Sequence, residues 1–154
     1  MSDLAASIFD GLNALFTADT ASGGLNENSD SGVARVRHFV RRGDPNYETD
    51  RIGNWPMVVV EVFNAENRAF AARHAISTVR MHLFTLRDSN TSSFTVQNAV
   101  ADRIYTVFDG AQMSAQGEFT FSLLNLLRDF QAQSSGTELH KVFEFSVYPQ
   151  VAAA

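Results

Sequence analysis

The sequence predicts an α+β fold: a single domain, 1–154, with a mostly antiparallel sheet of about five strands and two helices packed on one of its faces. Three observations carry this expectation. Segments 3–17 and 93–108 repeat apolar residues at helical spacing. Segments 33–42, 57–63, 76–87, 119–130 and 139–148 alternate, or run continuously, in β-branched and aromatic residues. The length of 154 residues fits one domain with a real core, and no internal repeat or composition break divides it.

In the first helix Leu4, Ile8, Leu12, Leu15 and Phe16 make the apolar stripe, and Ser2 or Asp3 can cap it. The stretch "TADTASGGLNENSDSG" that follows has almost nothing to bury and reads as a mobile loop over about 17–32. Val33–Arg42 alternates, with Val36, His38 and Val40 on one side and Arg35, Arg37, Phe39 and Arg41 on the other. A second loop, about 43–56, is punctuated by Gly43, Pro45, Gly53 and Pro56. "MVVVEVF", 57–63, is rich enough in valine to be covered on both faces. Residues 64–75 fit a short helix or a hairpin tip equally well. In 76–87, Val79, Met81 and Leu83 point inward and Arg80 and His82 alternate with them. The second helix has Ser93 as cap, Val96, Val100, Ile104, Val107 and Phe108 as stripe, and Gly110 as stop. Two more strands, 119–130 and 139–148, end at Pro149, leaving 149–154 as a short tail.

Composition excludes several classes of function. Thirteen phenylalanines and an apolar fraction of 45% describe a globular chain whose core is largely aromatic. A net charge of −5 disfavours non-specific binding to DNA or anionic lipid. With no cysteine there is no disulfide, thiolate nucleophile or Cys-based metal site. The N-terminal stretch "MSDLAASIFDGLNALF" starts acidic and is broken by Asp10 and Asn13, unlike a signal peptide, and no run reaches the roughly 18 apolar residues of a membrane span. Eleven of the twelve basic residues are arginine, a bias that suits interfaces and that a GC-rich genome also produces.

No catalytic motif is present. His38, His74, His82 and His140 have no compact ligand spacing, and those on strands converge only if the fold happens to bring them together. The serines lie in neither a Gly-x-Ser-x-Gly nor a Ser-x-x-Lys context, and "SGGLNENS" lacks the Gly-Lys-Ser/Thr of a phosphate loop. Asp44, Glu48 and Asp50 share a loop without the spacing of a calcium site. The expectation is a non-enzymatic protein with no cofactor and no metal. The sharpest feature is "RVRHFVRRGDP": Arg35, Arg37 and Arg41 at a two-residue period, with Arg42 opposite. Three uses fit it. The row contacts nucleic-acid phosphates, or it meets Asp44, Glu48, Asp50 or Glu61 of a neighbouring copy, or it is a charged edge strand that resists aggregation. The Arg42-Gly43-Asp44 tripeptide is ordinary turn chemistry.

Taken in sequence, these segments resemble the tail terminator (tail-completion) proteins of long-tailed bacteriophages. The resemblance rests on the helix "LAASIFDGLNALF", the Arg-bearing strand, the Trp-Pro entry of "NWPMVVVEVFN", the strand "ISTVRMHLFTLRD", the helix "SFTVQNAVADRIYTVFDG" and the closing "VFEFSVYP". It spans about Leu4 to Tyr148 and is one of topology more than of residues. It implies a structural virion protein, assembled in the host cytoplasm, that forms a homo-oligomeric ring, expected to be a hexamer. Such a ring caps the tail-tube protein, meets a head-completion or connector protein, and lets DNA pass through its channel; no membrane is involved. Another head–tail connector or tail-tube component, and a small ligand- or nucleic-acid-binding α+β domain, are the alternatives.

Overall fold

The computed structural model describes residues 3–27, 35–43, 55–63, 76–86, 94–132 and 138–151. Helix α1, Leu4–Ala18, begins where Asp3 caps it, its carboxylate accepting from the Ala6 N–H at 3.2 Å. Leu4, Ile8 and Leu12 are fully buried along one side, and Leu15 and Phe16 pack at its margin. Helix α2, Thr95–Phe108, turns Gln97, Val100, Ala101, Ile104 and Phe108 inward. Its stripe therefore starts at 97 and not at Val96, which is about half exposed. The N-cap is Phe94, without a side-chain cap; Ser93 lies outside the described residues.

Among the described residues seven strands form two sheets. The main sheet contains β1 (His38–Arg41), β2 (Met57–Phe63), β3 (Ser77–Leu86), β5 (Asn125–Gln131) and β6 (Glu138–Val147), in the spatial order β1-β2-β3-β6-β5. β1 runs parallel to β2, and every other pair in the sheet is antiparallel. The fold is thus α+β with five main strands, both helices packing against one sheet face. A two-stranded sheet joins β4 (Phe119–Phe121) to β7 (Pro149–Val151).

The helix-covered face is apolar throughout its centre. Val58 and Val60 of β2, Val79, Met81 and Leu83 of β3, and Phe143, Phe145 and Val147 of β6 meet α1 and α2 in one cluster. Each alternates with residues of the opposite face, as the two-residue strand period requires. Phe39 of β1 ties the layers together. It stacks on Phe16 (centroids 4.9 Å apart), Phe9 (5.9 Å) and Phe108 (5.9 Å), so one strand side chain touches both helices. Burial of each such ring contributes roughly 1.5–3 kcal/mol.

Four expectations from the sequence need correction. First, the segment after α1 is folded over 19–27. Asp19 accepts from the Leu25 N–H at 2.7 Å and its carbonyl accepts from Asn26 at 3.0 Å, so Leu25 is drawn into the core and fully buried. Gly24 is required here, since a Cβ would lie 2.3 Å from the Asp19 carbonyl oxygen. Second, the strand after it is short. Residues 35–37 form a bend in which Val36 N–H donates to Leu25 and Arg37 N–H donates to Pro56, across the Trp55–Pro56 cis bond. Third, 119–130 is two strands. The Ser122 N–H donates to the Tyr148 carbonyl and the Leu124 N–H to the Ala111 carbonyl, which turns the chain between them. Fourth, Pro149 does not end the fold: it faces Phe121 as the first residue of β7. The alternatives for 64–75, and the rest of both expected loops, lie outside the described residues.

Candidate functional site

The second face of the sheet holds the chemistry. On β2, β3 and β6 the residues that alternate with the core are Glu61, Arg80, His82, His140 and Glu144. Strand pairing sets Glu61 directly opposite Arg80, and Arg80 directly opposite Glu144, so long polar side chains on three adjacent strands meet.

Two groups result. In the first, Glu61 accepts with both oxygens: Oε2 lies 2.6 Å from Arg42 Nη1, and Oε1 contacts His82 Nε2. His82 Nδ1 faces His140 Nε2 at 2.9 Å, and His140 stacks on Phe84 with centroids 4.4 Å apart. Burial pushes His82 below the ordinary imidazole value, against the pull of Glu61 and with the help of Arg42 and Arg80. In the second group, Glu144 accepts from Arg128 Nε and Nη2, both at 2.9 Å, and from Arg80 Nε at 2.9 Å. The Arg128 fork, more than anything else, holds the Glu144 carboxyl below its usual range, and burial only partly opposes this. Arg80 and Arg128 each lie over an aromatic ring, Phe63 and Phe130 respectively, at 4.9 Å. Beside these groups Met57, Val59 and Phe84 form a small apolar cluster with Val40 and Trp55, and the Trp55 indole donates to Glu138 at 2.7 Å.

The sequence-derived residues fare unevenly. Arg42 and Glu61 come together, but within one chain. Arg35 donates to the Gly23 carbonyl at 2.5 Å, part of the folded 19–27 turn. Arg37 sits in the bend, and only Arg41 belongs to β1, so Arg35, Arg37 and Arg41 do not form a row on one strand face. The reason is that Val36 and Phe39, three apart, both enter the core, which breaks the two-residue alternation. Asp44, Glu48 and Asp50 lie outside the described residues. Alternation placed Arg80 and His82 on this face, but nothing in the sequence linked them to His140, Glu144 and Arg128. Their contacts cross sequence gaps of 58 and 64 residues, His82 to His140 and Arg80 to Glu144, which no local pattern reports.

The open edge of the sheet is a second candidate. Among the described residues β5 has a strand partner on one side only, and all of its residues but Leu126 are exposed. It carries Leu127 and Phe130, 53% and 38% exposed, and Leu123 just before it is 56% exposed. The ladder shifts between Leu126 and Arg128, a bulge that turns Leu127 outward. Among the described residues no group of three or more histidines, aspartates and glutamates is placed to hold a metal ion, and no helix is long and apolar enough to cross a membrane. No protein-family model and no curated protein sequence matches this chain.

Proposed function

We propose that this chain is a structural protein that self-assembles head to tail, and that the assembly is the ring of a phage tail terminator. The observation that carries the reading is the β5 edge. An edge strand offers unpaired N–H and C=O groups, and soluble proteins usually blunt such strands with charge or cover them. Here, among the described residues, the edge is exposed except at Leu126 and, beside Arg128 and Asp129, carries two large apolar side chains, Leu127 and Phe130. The other terminal strand of the sheet among the described residues, β1, runs parallel to its neighbour where β5 runs antiparallel, and bears Arg41 with Arg42 beside it. Unlike edges suit a heterologous contact, one patch meeting a different one, which closes into a ring when the rotation allows. Two-fold pairing of β5 with itself about its middle is disfavoured. It would set Arg128 against Arg128, or Asp129 against Asp129, and like charges directly opposite destabilise a strand pair.

The order of elements, α1, three strands, α2 and a terminal group of strands, is the one on which the resemblance to tail terminators was drawn. On this reading the partners are further copies of the chain, a tail-tube protein and a head-completion protein, with DNA only passing through. The arginines of 35–42 are not needed as an intersubunit ladder, since Arg35 and Arg42 are occupied within the chain. Light scattering and native mass spectrometry across protein and salt concentrations test the proposal. A single closed oligomer is expected, reduced to monomer by Leu127→Lys. A wild-type chain that stays monomeric both alone and with tail-tube protein, or that stops at a two-fold dimer, overturns it.

A further inference from the structure

The ladder shows which backbone groups of β5 are open. The Ala132 N–H donates to the His140 carbonyl at 2.8 Å, one step beyond the pairing of Gln131 with Lys141. Antiparallel strands alternate, so, counting back by two, Phe130 and Arg128 turn their N–H and C=O toward β6. Asp129 and Gln131 turn theirs toward the open side. Side chains alternate as well. Arg128 and Phe130 stand on the second face, opposite Glu144 and Val142, while Asp129 stands on the helix-covered face, opposite Phe143. Charge is unbalanced along this edge. Arg42 and Glu61 match one to one, but Glu144 is a single carboxylate between two guanidinium groups. The Arg80–Glu144–Arg128 group therefore carries one positive charge in excess. Arg128 is its outermost member, with its side chain 60% exposed against 9% for Glu144. It gives Nε and Nη2 to Glu144 and rests on the half-exposed Phe130 ring, which leaves Nη1 outside that fork.

We infer that β5 takes up an extended protein segment by strand addition, and that this segment sets a carboxylate beside Arg128, an apolar side chain beside Phe130 and a cation beside Asp129. The backbone of Asp129 and Gln131 supplies the new ladder, and the three side chains supply the selection. In an antiparallel partner the three residues read apolar, basic, acidic in chain order. Arg128 and Phe130 then occupy the closely spaced pairs without hydrogen bonds, where opposing side chains touch most. The incoming carboxylate meets the unmatched charge, and the apolar side chain covers Phe130. A second β5 does not supply this order, since Leu127, Arg128 and Asp129 meet their own kind across a two-fold axis. The inference rests on β5 being a contact edge and adds what that contact selects.

The probe is a synthetic peptide, acetylated and amidated, with the sequence Thr-Thr-Val-Lys-Glu-Thr-Thr. It is titrated into the ¹⁵N-labelled full chain at concentrations where the chain does not associate with itself, and nuclear magnetic resonance reads the contact. The Asp129 and Gln131 amides and the Arg128 Nε–H should shift together. A peptide with Gln in place of Glu should bind about two- to five-fold more weakly, the range of a cross-strand charge pair. That change leaves the protein untouched, so its folding does not enter. With Arg128→Gln in the chain, the two peptides should bind alike. No shift on β5, shifts centred elsewhere, equal binding of the Glu and Gln peptides by the native chain, or a preference for Glu that survives Arg128→Gln would each overturn the inference. Self-association is read separately by light scattering, so failure of the ring and failure of this selection are told apart.

Discussion

The two faces of the sheet are made from the same strands and solve different problems. On the helix-covered face, Val58, Val60, Met81, Leu83, Phe143 and Phe145 meet the apolar sides of two helices, and their packing is non-directional. On the other face the same strands carry Glu61, Arg80, His82, His140 and Glu144, which depend on direction: each contact needs a donor facing an acceptor. The first face supplies stability that is nearly independent of pH. The second supplies a surface whose state depends on which protons are bound. A protein that only had to fold would gain more from a second apolar layer, since paired buried charges seldom out-stabilise well-packed hydrophobic residues.

The largest expected effect lies in the core. Phe143 is fully buried on β6 and meets Tyr105 of α2 edge-on, with centroids 5.3 Å apart. Phe143→Ala should lower unfolding stability by about 3–5 kcal/mol in urea titrations, through lost burial and the cavity left behind. The same loss should appear at pH 5 and at pH 8, because no ionisable group is removed.

Next comes Glu144. Its carboxylate joins arginines from β3 and β5, and removing its charge leaves both guanidinium groups without their acceptor. The arginines reach solvent, so the cost is smaller than for a fully buried pair: Glu144→Gln should lose about 2 kcal/mol at neutral pH. Its pH dependence separates the faces further. Glu144 holds its carboxyl below the ordinary value of 4.5, mainly through an arginine hydrogen bond. The unfolded chain therefore binds protons first, and stability present above about pH 4.5 is lost as pH falls. Glu144→Gln should shrink that acid loss. His82 acts in a separate window. Its pKa in the fold lies below 6.5, so its contribution, present above pH 6.5, declines as pH drops below that value. Urea titrations from pH 8 to 3 should show both phases, and His82→Gln should remove only the higher one.

Alternation made the apolar face readable from the sequence: Val79, Met81 and Leu83, and the valine run of β2, are visible without knowing what they touch. The α1 stripe was legible for the same reason. What escaped were features decided by distant segments. Val36 obeys Leu25, eleven residues back and across a turn, so the apparent row of arginines dissolves. The link from His82 to His140 depends on β3 and β6 becoming neighbours, and the spacing of the histidines along the chain carries no trace of it. The β5 edge was hidden because exposure is a property of strand order, and strand order is not written in any one strand.

The smallest effect concerns a cation on the apolar side. Lys141 alternates onto the helix-covered face, with its ammonium 5.9 Å from the Tyr105 ring, 5.7 Å from the Phe143 ring, and 3.8 Å from Asp129. The ion pair with Asp129 is long and at the sheet margin, where solvent screens it. The ring contacts use the lysine's stem as much as its charge. Lys141→Met keeps the stem and deletes the charge, so it should cost no more than about 0.5–1 kcal/mol and leave the acid limb of stability unchanged. A loss as large as that of Glu144→Gln would mean that charge matters on both faces, and the division between a pH-blind layer and a proton-sensing one would fail.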